Sequence, residues 1–129
     1  MTITELVERA HAMSRAKGWY DGEAANKNIG EMLALIHSEV SEALEDWRNG
    51  NMELKFLRCC DLARYGHRDG CPGKETGVGK PVGFPSEIAD IAIRVGDLCG
   101  FLGIDLEKAV SEKMAYNATR PYRHGNKRA

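Results

Sequence analysis

The sequence predicts an all-α fold, a compact bundle of four to five helices, on three observations. Apolar residues recur at three- and four-residue steps along most of the 129-residue chain. Residues suited to starting and stopping helices bracket those runs. No segment alternates apolar and polar residues as a half-buried strand would, and no repeat of solenoid type is present.

Taken in order, residues 3 to 17 set Ile3, Leu6, Val7, Ala10 and Ser14 at helical spacing, and Gly18 supplies a stop. WYDGEAANKN then reads as a polar, turn-rich connection. In the second helix Ile29, Met32, Leu33, Ile36, Val40, Ala43, Leu44 and Trp47 recur at helical steps as far as Asn49-Gly50. MELKFLRCCDLARY is consistent with a shorter third helix. From Gly66 to Pro85 the chain holds six glycines and three prolines without periodicity, which predicts a loop. Ser86 fits the N-cap of a fourth helix carrying Ile88, Ile91, Val95, Leu98 and Leu102, with Gly103 closing it. Asp105 caps a fifth that buries Leu106, Ala109, Val110 and Met114 and fades at Thr119-Arg120-Pro121.

The length fits a single domain with a loop-rich insertion at about 58–85. Hydrophobic residues at 43%, charged residues at 29% and a formal net charge of -1 match ordinary globular composition, without the basic excess of a long nucleic-acid partner. MTITELVERAHAM carries charges inside its apolar pattern, so it reads as neither a signal peptide nor a membrane span, and a cytoplasmic location is expected. Four cysteines are few for a chain with this much core, which suggests reduced thiols. Cys59, Cys60, His67 and Cys71 include zinc-ligand residue types, but their spacing is not that of a paired knuckle, and ordinary loop thiols are the plainer reading.

Two acidic pairs, Glu39/Glu42 and Glu87/Asp90, carry the functional signal because each lies on an apolar helix. At 100° per residue from Ile36, the stripe of the second helix spans roughly -40° to +80°, with Glu39 at about -60° and Glu42 at about -120°. On the fourth helix, measured from Ile91, Glu87 falls near -40°, Asp90 near -100°, Asp97 near -120° and Arg94 near -60°. Both pairs flank their stripes on the same side. Carboxylates at a core margin call for a cation, hydrogen bonds or a metal. One reading is a half-solvated face with ordinary ion pairs. The other is a metal site between two packed helices, whose hard oxygen donors suit Mg²⁺, with Mn²⁺ as a substitute. A ferritin-type site would need Glu-x-x-His, and His37 instead precedes Glu39 by two residues.

The runs LIHSEVSEALEDWR, GFPSEIADIAIRVGDLCGFLGIDLEKAV and KMAYNATRPYRHGNK resemble the MazG-like, all-α nucleoside triphosphate pyrophosphohydrolases, over about Lys17 to Lys127. The resemblance implies that Glu39, Glu42, Glu87 and Asp90 bind Mg²⁺ and act in catalysis. It implies hydrolysis of a nucleoside or deoxynucleoside triphosphate to the monophosphate and pyrophosphate, and a homodimer or homotetramer. Ser38 stands where members often carry a further Glu, and Arg58 to Gly83 look inserted relative to compact members.

On the last helix, Lys113 and Asn117 fall beside the apolar seam and Arg120 follows one turn later. By charge pattern alone these belong to a solvated basic tail; with the resemblance they become phosphate-binding candidates, Lys as a point charge and Arg as a fork of donors. Trp19 and Trp47 are candidates for contact with a base, although Trp47 lies on the apolar stripe and also reads as core. His11 reads as a satisfied core histidine, and Lys80 as either a phosphate contact or a solvated loop residue. Two other functions fit the same residues: a non-enzymatic helical interaction module held by salt bridges, and a metal-dependent hydrolase of another phosphate ester.

Overall fold

The helices stop where glycine lets the chain turn back. The computed structural model describes residues 1–57 and 79–128. Its helices are α1 (Ile3–Ala16), a 3-10 turn at Gly22–Ala25, α2 (Ile29–Arg48), α3 (Phe84–Leu102), α4 (Leu106–Ala118) and a four-residue terminal turn, Arg123–Asn126. The protein is predominantly helical, as its periodicity predicts. Just past the ends of α1, α2 and α3 stands a glycine at positive φ, Gly18, Gly50 and Gly103, a conformation costly for residues with a Cβ. Each is followed by a six-to-one closure, from Trp19 N to Ser14 O, Asn51 N to Asp46 O and Ile104 N to Cys99 O. Thr2 and Glu5 form a reciprocal capping box at the start of α1, while Asn28 caps α2 and Asp105 caps α4.

Two sequence expectations are corrected. Lys55–Leu57, expected in a helix, forms strand β1, which pairs antiparallel with β2 (Lys80–Val82) in the register Lys55↔Val82, Phe56↔Pro81, Leu57↔Lys80. Pro81 has no N–H to donate, which a two-stranded ribbon tolerates because each strand has an unpaired edge. The expected loop therefore gives way to β2 and to the first turn of α3 by Pro85, and Ser86 is not the N-cap. Gly83 precedes the helix at φ +99, and its carbonyl accepts from Ser86 N and Glu87 N. Pro85 is accommodated because a first-turn N–H has no intrahelical acceptor. Residues 58–65 of the expected third helix, and the Cys59, Cys60, His67 and Cys71 group, lie outside the described residues.

The chain divides into two compact units, Met1–Lys27 with Val95–Ala129, and Asn28–Arg94. In the first, Ala10 of α1 and Leu98 and Cys99 of α3 are buried. Gly96 and Gly100, one turn apart on α3, let α1 approach: a Cβ on Gly100 would lie 2.5 Å from His11 Cβ. Thr4 N and Oγ1 both donate to Glu107 Oε2, at 2.9 and 2.8 Å, tying α1 to α4 and holding the Glu107 carboxyl below its usual range. His11 Nδ1 lies 2.8 Å from Asp97 Oδ1, which also accepts from Tyr20 OH at 2.9 Å. His11 is thus satisfied within the fold, as expected. Burial, followed by the bond to Asp97, pushes the Tyr20 phenol well above its ordinary value. Among the described residues no helix is long and apolar enough to cross a membrane.

Candidate metal centre

In the unit Asn28–Arg94, α2 and the first half of α3 run antiparallel. Phe84 N donates to Asn51 O at 2.8 Å, joining the start of α3 to the end of α2. The β1–β2 pair and the Ser86 Oγ bond to Pro81 O, 3.2 Å, hold the entry to α3 in place. Stepping away from that junction, Glu87 meets Glu42 and Arg94 meets Glu39. The i,i+3 spacing on each helix turns its acids toward the other helix.

One carboxylate oxygen from each of Glu39, Glu42 and Glu87 lies within 4.8 Å of the other two. An octahedral Mg²⁺ with oxygens at about 2.1 Å sets its cis ligands about 3 Å apart and trans ligands about 4.2 Å apart. The three donors are carboxylate oxygens gathered near that span, a donor set of the type that fits a hard divalent cation. Glu39 is the buried member, at 7% exposure, Glu87 is half-buried and Glu42 is exposed. Asp90 lies outside this triad and is exposed.

The crowding shows in the affinity for protons. Desolvation, then the Glu42 charge and a hydrogen bond with Glu42, then Asp90 and Asp46, raise the Glu87 carboxyl above its ordinary value. Asp90 is raised by desolvation and by Glu39, while Arg94 and Lys80 pull it back. Arg94 Nε donates to Glu39 Oε1 at 2.5 Å, so the buried acid of the triad has a cationic partner.

The apolar stripe of α2 behaves differently from the expectation. Its buried residues are Ala43 and Glu39, at about -20° and -60° from Ile36. The other half of the stripe, about +20° to +80°, is open: Ile29 is 45% exposed, Leu33 48%, Val40 48%, Leu44 43% and Trp47 59%. Trp47 is therefore a surface residue rather than core. Helix α2 turns its acidic flank inward and half of its apolar stripe outward.

The remaining candidates belong to the other unit. Lys113 and Asn117 are exposed on α4, and Arg120 is half-buried just beyond it. Lys113 Nζ and the Arg120 guanidinium lie over the Tyr116 ring, 5.7 and 6.0 Å from its centroid. Trp19 is 66% exposed. Asp97, on the same flank of its helix as Glu87 by angle, is engaged by His11 and Tyr20 instead. The residue that the spacing left unsingled is Asp46, four after Glu42, whose charge reaches Glu87 and whose carboxylate accepts from Asn51 Nδ2. Its signal was the continuation of the Glu39 flank by two turns. Comparison with known proteins gives no match: no family model, no curated protein and no solved structure matches the chain.

Proposed function

We propose that this chain is a Mg²⁺-dependent nucleotide pyrophosphohydrolase that converts a nucleoside or deoxynucleoside triphosphate to the monophosphate and pyrophosphate, in nucleotide-pool control or house-cleaning. The observation that carries the proposal is the convergence of Glu39, Glu42 and Glu87 between antiparallel helices, in the motif order that the MazG-like resemblance requires. A bound divalent cation supplies neutralisation of phosphate oxygens and polarisation of water. Glu39, Glu42 and Glu87 hold it, and Asp90 completes the set; as the acid outside the triad, we assign Asp90 the orienting of the attacking water. From the resemblance alone, the candidates for holding the phosphate tail are Lys113, Asn117 and Arg120, and those for contact with the base are Trp19 and Trp47.

The open half of the α2 stripe supports a homo-oligomeric assembly in which a second copy covers it. The exposed residues Ile29, Leu33, Val40, Leu44 and Trp47 follow one another at steps of four, seven, four and three, the spacing of a helix–helix seam. The same exposed stripe also favours a second reading, a helical interaction module without catalysis. A panel of triphosphates assayed with and without Mg²⁺, with products identified, separates the two. Glu42→Gln and Asp90→Asn should abolish metal-dependent turnover while helical circular dichroism stays intact; retained turnover sinks the site. Inertness of the folded wild type across the panel favours the module, and products other than pyrophosphate favour another phosphate ester.

A further inference from the structure

Glu39 is the most deeply buried acid of the cluster, and one of its two carboxylate oxygens is already committed: Oε1 accepts from Arg94 Nε. We infer that Arg94 is a positioning residue for the acidic centre, fixing Glu39 so that Oε2 alone faces the cation; the inference rests on the reading of Glu39, Glu42 and Glu87 as cation ligands. Arg94 stands seven residues after Glu87, two turns along the same helix. One helix thus contributes a ligand and, two turns further on, the donor that orients a ligand on the facing helix. A glutamate side chain has several rotatable bonds, and holding its carboxylate in one pose costs conformational entropy that the cation must otherwise supply on binding. The guanidinium donor meets that cost before the cation arrives, and makes Glu39 a monodentate ligand. Hydrogen-bonded partners of metal-binding side chains typically govern affinity by about 10- to 100-fold.

The competing account is that Arg94 merely neutralises Glu39 and so opposes cation binding. The two accounts differ in sign. Deleting a positive charge beside a cation raises affinity by Coulomb's law, whereas deleting the orienting donor lowers it. The test is Mn²⁺ titration of the full chain, without nucleotide, by calorimetry and by the paramagnetic resonance of free Mn²⁺, alongside thermal melts. Arg94→Gln should weaken Mn²⁺ binding about tenfold or more; binding as tight as wild type, or tighter, overturns the inference. Should Arg94→Gln fail to fold, Arg94→Lys decides, since it keeps the charge and loses the guanidinium Nε–H. Weaker Mn²⁺ binding by Arg94→Lys supports positioning, and wild-type affinity overturns it. Wild-type protein that binds no Mn²⁺ sinks the metal reading and this inference together, whereas wild-type binding that is indifferent to Arg94 sinks the inference alone.

Discussion

Replacing Glu87 by Gln should make the metal-free protein more stable, which is an unusual outcome for a half-buried residue. Like charges no more than 4.8 Å apart repel by at least about 0.9 kcal/mol at the dielectric of water and about 3.5 kcal/mol at an effective value of 20. Glu42 is exposed, so the screened end of that range applies, about 1 kcal/mol. With an unfolding entropy of about 2.1 cal/mol/K per residue, this corresponds to a rise of about 4 °C in melting temperature for a chain of this length. Glutamine offers the Glu42 carboxylate an N–H donor, which an ionised Glu87 lacks. The effect must depend on pH. Folded Glu87 binds its proton more tightly than the unfolded chain does, so its benefit is full below the ordinary value of 4.5 and is lost as pH rises through the raised one. Melts in chelator should therefore show the variant level with wild type near pH 4 and above it at pH 8. Adding Mn²⁺ at a hundred times its dissociation constant should then stabilise wild type by about 2.7 kcal/mol, or about 10 °C, and the variant by much less. A variant less stable than wild type at pH 8 in chelator, or an offset equal at both pH values, refutes the mutual repulsion on which the cation site depends.

Two further outcomes test the packing. Gly100→Ala would ordinarily stabilise a helix by roughly 1 kcal/mol, but here the added Cβ meets His11 Cβ, so a net loss of about 1–3 kcal/mol is expected; a urea midpoint at or above wild type would show that α1 does not approach so closely. Val40→Glu, in the open half of the α2 stripe, should leave helical circular dichroism unchanged and shift sedimentation toward the single chain. Unchanged sedimentation argues that this face is not the contact between copies.

The helices were legible because their signals are local. Gly18, Asn49-Gly50 and Gly103 stop helices in the structure as in the sequence, since a residue at positive φ just past the helix end is a property of a few consecutive positions. The β1–β2 pair was not legible. Each strand is three residues long, too short for alternation to register, and its stability depends on a partner more than twenty positions away. Ser86 misled for a related reason: serine is a common N-cap, but its hydroxyl serves Pro81 O of the preceding strand. Rotation put Glu39, Glu42 and Glu87 on flanks that the structure brings together. Rotation could not tell Asp90 from the triad, nor Asp97 from Glu87, because those distinctions depend on which helix faces each residue.

The orientation of α2 is the strongest physical argument that its acids are there for function. A turn of about 80° about its own axis would carry Val40, Leu33 and Leu44 inward and Glu39 into water, gaining apolar burial and removing the cost of a desolvated carboxylate. The chain instead buries Glu39 and gives it Arg94 as a partner. The Arg94 side chain is itself 40% exposed, so solvent screens the pair and it stabilises the fold little in return for the desolvated carboxylate. Stability therefore does not account for the inward acid or the outward stripe taken separately. The proposed cation between α2 and α3 and the proposed second copy on the outer face would account for both: the cation would offset the repulsion among Glu39, Glu42 and Glu87, and the second copy would cover Ile29, Leu33, Val40, Leu44 and Trp47. On this account the two are linked, since any rotation of α2 that spoils the seam also withdraws Glu39 from Glu87. Val40→Glu should then weaken Mn²⁺ binding as well as self-association, although Val40 lies on the open face of the helix. Dissociated protein that binds Mn²⁺ with wild-type affinity would show the two faces to be independent.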